Sequence, residues 1–334
     1  MPDKGAPTTV ESVTQSQIAA HGPAMVRRIQ KNLVMLLGAL WLLDGLLQLQ
    51  PYMFSPDFAI GVIGGAVMGL PRPLYVMSVY WLEHSLIPDI VLWNAFFAGL
   101  QLALGIMLLV GIRRTGIAKL ALWISIPWSI ALWVFGEGMG GILLATMSGG
   151  EFPGTPSVLN GFPGAALLYL WVTILLLVPE SWWSNRSKLS PIWGGAGYLF
   201  LAAAIVQVAP LMWTSFGQAS IFAANLDNLP GTLAWTIKPV INAATSHPVL
   251  ANSIEVGVSL VTALTLFLRK PLTLLYLLPA AWAIFIWWFG LGVGGTLTGL
   301  GTDPNSPPLM LLLVLPAWLS ASARHKRFRR ESKF

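Results

Sequence analysis

The chain has 334 residues, 55% of them hydrophobic and 10% charged, with a formal net charge of +6 and a mean hydropathy of +0.71. A soluble domain does not carry that composition, so the sequence reads as a polytopic membrane protein. There is no cysteine, which excludes disulfides, thiolate metal ligands, cysteine-held iron–sulfur clusters and any thiol relay within the chain.

In chain order, residues 1–31 hold no early apolar stretch and no small-residue cleavage site. No removable signal peptide is expected, and the first helix serves as its own insertion signal. Crossing hydrocarbon takes about 20 apolar residues per helix. Eight segments fit that pattern: 33–51, 90–111, 116–136, 163–179, 194–212, 249–268, 272–292 and a shorter one at 308–320. The segments 52–89 and 213–248 mix polar and apolar residues (YVMSVYWLEHSLIPD; SIFAANLDNLPGTLAWTIKPVI) and read as amphipathic helices on the membrane surface.

Basic residues are retained on the cytoplasmic side of a membrane. Alternate connecting segments, around Arg27, Arg113, Arg186 and Arg269, and the tail from Arg324 to Lys333, hold all the Lys and Arg except Arg72 and Lys238. This places both termini in the cytoplasm, in a multi-pass protein of the plasma (cytoplasmic) membrane, and puts 52–89, 137–162, 213–248 and 293–307 outside. The tail RHKRFRRESKF is a polybasic stop whose expected neighbour is anionic lipid. With two aromatics, Phe328 and Phe334, and a membrane exit just before it, it does not read as a nucleic-acid-binding arm.

An internal repeat organises these spans. QLQPYMF at 48–54 returns as QVAPLMW at 207–213, NAFFAGLQLALGIMLL at 94–109 as NSIEVGVSLVTALTLF at 252–267, and WVFGEGMGG at 133–141 as WWFGLGVGG at 287–295. The expected fold is therefore an all-α membrane helix bundle: a cytoplasmic segment 1–31, a four-helix repeat 32–180, a linker 181–193, a second repeat 194–320 and a basic tail 321–334. An even number of spans per unit makes the repeats parallel, with a natural site at the seam between them.

The opening RIQKNLVMLLGALWLLDGLLQLQP, the second-helix run EVGVSLVTALTLFLRKP and the weaker LQLALGIMLLVGIRRTG resemble the DoxX/DoxD-like membrane proteins. The resemblance covers about 90 to 110 residues of each half and implies four-helix units of this kind. It also implies a membrane subunit of a quinone-linked oxidoreductase of the thiosulfate:quinone type, with quinone as cofactor and an extracytoplasmic or membrane partner subunit. The chain departs from the pattern in being a tandem duplication, in lacking cysteine, and in having Phe97 where the second half has Glu255. A small-molecule transporter and a non-catalytic scaffold or receptor are the alternatives from other classes.

Ionisable residues at membrane depth are costly and face a bundle interior or cavity, which makes function their default reading. Asp44 and Glu255 are the candidate proton-exchanging groups. The candidate ligand-binding residues are Gln48, one helical turn from Asp44, together with Gln207, Asn94, Gln101, Asn252, the helix-end Glu137, and Trp133 and Trp287 beside that polar zone. Asp44 and Glu255 are expected to approach each other across one cavity. The competing reading is interhelical hydrogen bonding without a ligand. His84 and His247 sit at non-equivalent positions with no metal-ligand spacing, so no metal is expected. The glycines of GEGMGG lack the context of a phosphate-binding loop and read as close packing and a tight exit turn.

Overall fold

The computed structural model of the chain describes residues 9–141, 156–183, 186–224, 226–270 and 272–331. The start of the N-terminal segment, most of the first glycine-rich loop, the linker positions 184–185 and the end of the basic tail lie outside the described residues. All regular structure among the described residues is helical, as expected for a chain whose buried backbone must satisfy its own hydrogen bonds.

In the first half the helices are α1 (Thr9–Leu47), α2 (Pro56–Val67), α3 (Arg72–Trp81), α4 (Ile90–Gly111), α5 (Thr115–Gly136) and α6 (Ala165–Leu177). In the second half they are α7 (Arg186–Gln207), α8 (Ser215–Ala224), α9 (Lys238–Ser246), α10 (Pro248–Leu268), α11 (Leu274–Gly290) and α12 (Ser306–Glu331). Five carry stretches long and apolar enough to cross a membrane: Ala24–Leu47, Ile90–Gly111, Thr115–Gly136, Lys188–Gln207 and Pro248–Leu268. Helix α6, helix α11 and the apolar part of α12, Ser306–Leu319, are shorter. All eight hydropathic segments are thus helical, but three fall below the length expected of a span. Helix α6 is short for local reasons: residues 157–164 are drawn into a loop in which the Ser157 hydroxyl accepts from Leu159 N at 3.1 Å, and Pro179 comes just after its last turn.

Helix α1 packs on α4, α4 on α5 and α5 on α6; α7 packs on α10, α10 on α11 and α11 on α12. Helix α6 also packs on α12 and joins the two sets. This junction is apolar. Leu37, Trp41, Leu108, Val172, Trp193 and Leu313 belong to one buried cluster spanning both halves, so close-packed aliphatic and aromatic side chains fill the seam where a polar site was expected.

Both glycine motifs adopt the same backbone. The last turn of α5 widens so that Glu137 N bonds Leu132 O at 3.0 Å, and that of α11 so that Leu291 N bonds Ile286 O at 2.9 Å. Four left-handed residues come next in each: Gly138, Met139, Gly140 and Gly141 (φ 54°, 58°, 70° and 72°), and Gly292, Val293, Gly294 and Gly295 (φ 53°, 59°, 68° and 70°). Only glycine takes such angles freely. This reverses the chain at the helix end, and the tryptophans of the motif anchor the loop beyond the turn: Trp133 Nε1 donates to Pro163 O at 3.0 Å and Trp287 Nε1 to Pro304 O at 2.8 Å.

A β-carbon at Gly138 would stand 2.1 Å from Ala66 O of α2. Gly138→Ala is therefore expected to lower thermal stability in detergent by more than the ~1–2 kcal/mol of a left-handed alanine alone; an unchanged melting temperature would contradict this geometry.

Candidate functional site

A cavity of about 530 Å³ lies within the first half, at the end of the bundle that carries α2 and α3. Its formation is explained by the local sequence. Helix α2 and the turn after α3 bury Phe58, Ile63 and Leu82 against Trp93, Phe97 and Phe135 at the ends of α4 and α5, which makes a roof over the space between the helices. The wall is largely aromatic, with Trp81, Trp93, Phe96, Phe97, Trp128 and Phe135 on it. Polar groups line it as well: Asp44 from α1, Gln48 just after it, Ser78 from α3, Gln101 from α4, Glu137 after α5, Tyr169 from α6, and Thr302 and Asp303 from the loop before α12.

Asp44 is buried, and no donor among the described residues reaches its Oδ1. It interacts electrostatically with Asp303 and Glu137, and the Tyr169 hydroxyl lies beside it without forming a hydrogen bond of normal geometry. The Tyr169 ring is held by stacking on Trp41, with centroids 4.2 Å apart. Gln48 Oε1 and Gln101 Oε1 are likewise buried acceptors without a partner among the described residues. Asn94 is structural on its donor side, giving Nδ2–H to Gln48 O at 2.7 Å and so tying α4 to α1.

Glu137 accepts from Ala166 N at 2.9 Å through Oε1 and so holds the start of α6, where a carboxylate is favourably placed. Its other oxygen has no partner among the described residues. The approach depends on Gly164, since a β-carbon there would lie 2.2 Å from Glu137 Oε2. Burial raises the Glu137 carboxyl to about 8, and repulsion from Asp303 adds to this against the opposing backbone hydrogen bonds. Asp303, whose carboxylate accepts from Thr302 Oγ1 at 2.8 Å and Asn305 N at 2.6 Å, is also raised, by burial first.

The remaining sequence-predicted residues lie elsewhere. Glu255, on α10, does not share the cavity with Asp44. It takes hydrogen bonds from Gln207 of α7 and from Gln218 of α8, the latter at 3.4 Å, while Asn252 Nδ2 donates to Gln207 O at 3.0 Å. This knot borders a separate pocket of about 200 Å³ that His247 also lines. The two carboxylates are apart because the apolar seam separates the polar zones. Trp133 and Trp287 spend their N–H groups on loop anchoring and do not line the cavity; its aromatic wall comes from Trp81, Trp93 and Trp128, whose sequence neighbourhoods suggest only interfacial or core positions. Asp303 is a further site residue that sequence pattern does not single out, because its loop belongs to the second half. Among the described residues no three His, Cys, Asp or Glu side chains gather as a metal-binding group, and His84 is exposed, stacked on Tyr80 at 4.2 Å.

No family model, curated protein or solved structure matches the chain.

The raised Glu137 carboxyl gives a pH dependence with a definite sign. The folded chain keeps the proton to about pH 8, whereas the unfolded chain loses it near the ordinary glutamate value of about 4.3. Stability from this group is complete below that value and falls as pH rises through the interval. Thermal melts in detergent are expected to decline from pH 5 to 8, and Glu137→Gln to flatten that decline; an equally steep profile in the variant would exclude Glu137 as its source.

Proposed function

We propose that the chain is an integral membrane protein of eight crossings, with both termini cytoplasmic, that binds a small amphipathic molecule in the first-half cavity near the outer face. The observation that carries the reading is the cavity itself, lined by aromatic rings together with buried polar groups, several of them without partners among the described residues. Binding pockets combine apolar walls with a few convergent polar groups, whereas a purely structural cluster is expected to satisfy its members internally.

The topology rests on the segregation of basic residues and on the local likeness of the halves. Asn94 and Asn252 make the same bond to Gln48 O and Gln207 O, and the two glycine motifs share one backbone path. Those correspondences support a parallel duplication. Helices α6, α11 and α12 then complete the count as short, tilted or partly shielded crossings, with bilayer adjustment covering the mismatch. The basic tail meets anionic lipid on the cytoplasmic side.

The resemblance to DoxX/DoxD-like proteins adds a quinone-linked oxidoreductase subunit as the activity class to test, with a partner subunit supplying electrons. The geometry supports the binding of an amphipathic molecule and leaves its redox chemistry to that test.

Two measurements address the proposal. The chain lacks cysteine, so His247→Cys is expected to react with an impermeant thiol reagent added outside and Ser187→Cys is not; the opposite labelling would overturn the topology. For the cavity, Ala131 on its wall corresponds to Phe285 of the second half, in register with the paired motifs. Ala131→Phe is therefore expected to leave the protein folded but emptied, so that chromatography of a solvent extract finds a stoichiometric small molecule with the native protein and little with the variant. Equal amounts in both would contradict binding in this cavity.

A further inference from the structure

The charge of the polar end of that molecule can be read from the groups facing it, provided the cavity is the binding site proposed above. Asp44, Glu137 and Asp303 line the cavity, and no Lys, Arg or His does. Three acids thus face one apolar space with no countercharge among its lining residues. They do not form a metal-binding group. An acidic cluster alone proves nothing, but the hydrogen-bonding pattern points the same way. Asp44, Gln48 and Gln101 are 2%, 5% and 3% exposed, each lines the cavity, and each has a side-chain oxygen without a hydrogen-bond partner among the described residues; the unmet donors on the same lining are Trp128 Nε1 and the Tyr169 hydroxyl, which lies beside Asp44. Glu137 Oε2 is a fourth buried oxygen without a partner among the described residues, an acceptor once a bound cation displaces the carboxyl proton. Unmet acceptors at this depth are costly, and a ligand carrying N–H donors meets them.

The second half provides an internal control. With Trp133 bonded to Pro163 and Trp287 to Pro304 in the same way, the loops and the helices after them align, and the three acids and the tyrosine of the cavity meet apolar residues: Asp44 matches Ala203, Glu137 matches Leu291, Tyr169 matches Met310 and Asp303 matches Phe162. Phe162, Ala203 and Leu291 pack together there in one buried cluster. The substitution extends to the backbone: Pro307 stands where Ala166 donates to Glu137, so the second half has no N–H at that point for a carboxylate to accept. The second half therefore holds one acid, Glu255 at the position of Phe97 and already bonded by Gln207 and Gln218, where the first half holds three around a cavity with unmet oxygens.

We infer that the cavity is a site for an organic ammonium ion, a protonated amine on an apolar body: its N–H groups, three at most, are shared among the oxygens of Asp44, Gln48, Gln101 and Glu137, its charge is balanced by the acids, and its apolar part lies against Trp81, Trp93 and Trp128. Tryptophan faces attract cations, and charge-assisted hydrogen bonds to buried carboxylates are stronger than neutral ones.

The test is equilibrium binding of radiolabelled phenylpropylamine, phenylpropanol, phenylpropionate and a decyl-quinone to the full-length protein in zwitterionic lipid nanodiscs. The amine is expected to bind at least about tenfold more tightly than the alcohol, the scale of one charge-assisted hydrogen bond, with the propionate weakest. Asp44→Asn is expected to weaken amine binding by more than alcohol binding and so to remove most of that advantage. Asp303→Asn, with folding checked by its melting temperature, is expected to act in the same direction. If the alcohol or quinone binds saturably and the amine has no advantage, or if the advantage survives both substitutions, the ammonium assignment is overturned and the cavity stands as a binding site. If no probe binds saturably, the binding reading falls, and this inference with it.

Discussion

The arrangement depends on a reciprocal crossing of two loops. Residues 157–163, which precede α6, carry Val158, Leu159 and Phe162 into the buried cluster formed by Met212, Phe222, Ile286 and Leu291 of the second half. Residues 301–305, which precede α12, return the contact, with Gln50 Nε2 donating to Gly301 O at 3.1 Å and Asp303 entering the first-half cavity. The loops touch as they pass, and a β-carbon on Gly161 would stand 2.3 Å from Asn305 Oδ1. The left-handed glycine turns make this crossing available, because they reverse the chain at once after a helix that has just ended at the bundle's edge. Burying three large apolar side chains in the other half favours the crossing, at roughly 1.5–3 kcal/mol for each.

The residue each loop carries across then decides the character of the space it enters. Phe162 delivers a ring, and the second half closes around it with only a small pocket beside Glu255. Asp303 delivers a carboxylate, and the first half keeps a larger cavity bordered by acids. A close-packed apolar seam between α6 and α12 separates the two spaces. It also explains why the buried carboxylates of the two halves do not meet.

Much of this was legible in the sequence. The spans stand out because hydrocarbon-grade runs are long and interrupted by few charges, and the buried polar residues stand out because they are rare at such depth: Asp44, Gln48, Asn94, Gln101, Gln207, Asn252 and Glu255 are all buried. Repeats of WVFGEGMGG and QLQPYMF marked the two turns whose backbones coincide. Their partners were not legible. Whether a carboxylate faces an amide or an empty space is set by packing across the bundle, and nothing in the local sequence of Glu255 announces Gln218 from an insert helix. Asp303 sits in a run, GTDPNSPP, that reads as an ordinary turn. The aromatic wall was hidden for a related reason, since a tryptophan in a belt, a core or a binding wall has the same sequence neighbourhood. Span length was the other failure of pattern reading: hydropathy shows where apolar residues begin, while the loops and prolines at each end decide how many of them the helix keeps.

The most direct measurement is a cross-link between the halves at the crossing itself. A chain carrying Gln50→Cys and Leu300→Cys, the latter at the exposed neighbour of Gly301, with a protease site placed between Trp183 and Arg186, would be treated with a short thiol-bridging reagent, cleaved and run on a denaturing gel. The crossing requires the two fragments to stay joined in the doubly substituted chain and to separate in each single variant. Fragments that separate in the double variant, with both cysteines shown to be reactive, would contradict the loop exchange and the cavity built upon it.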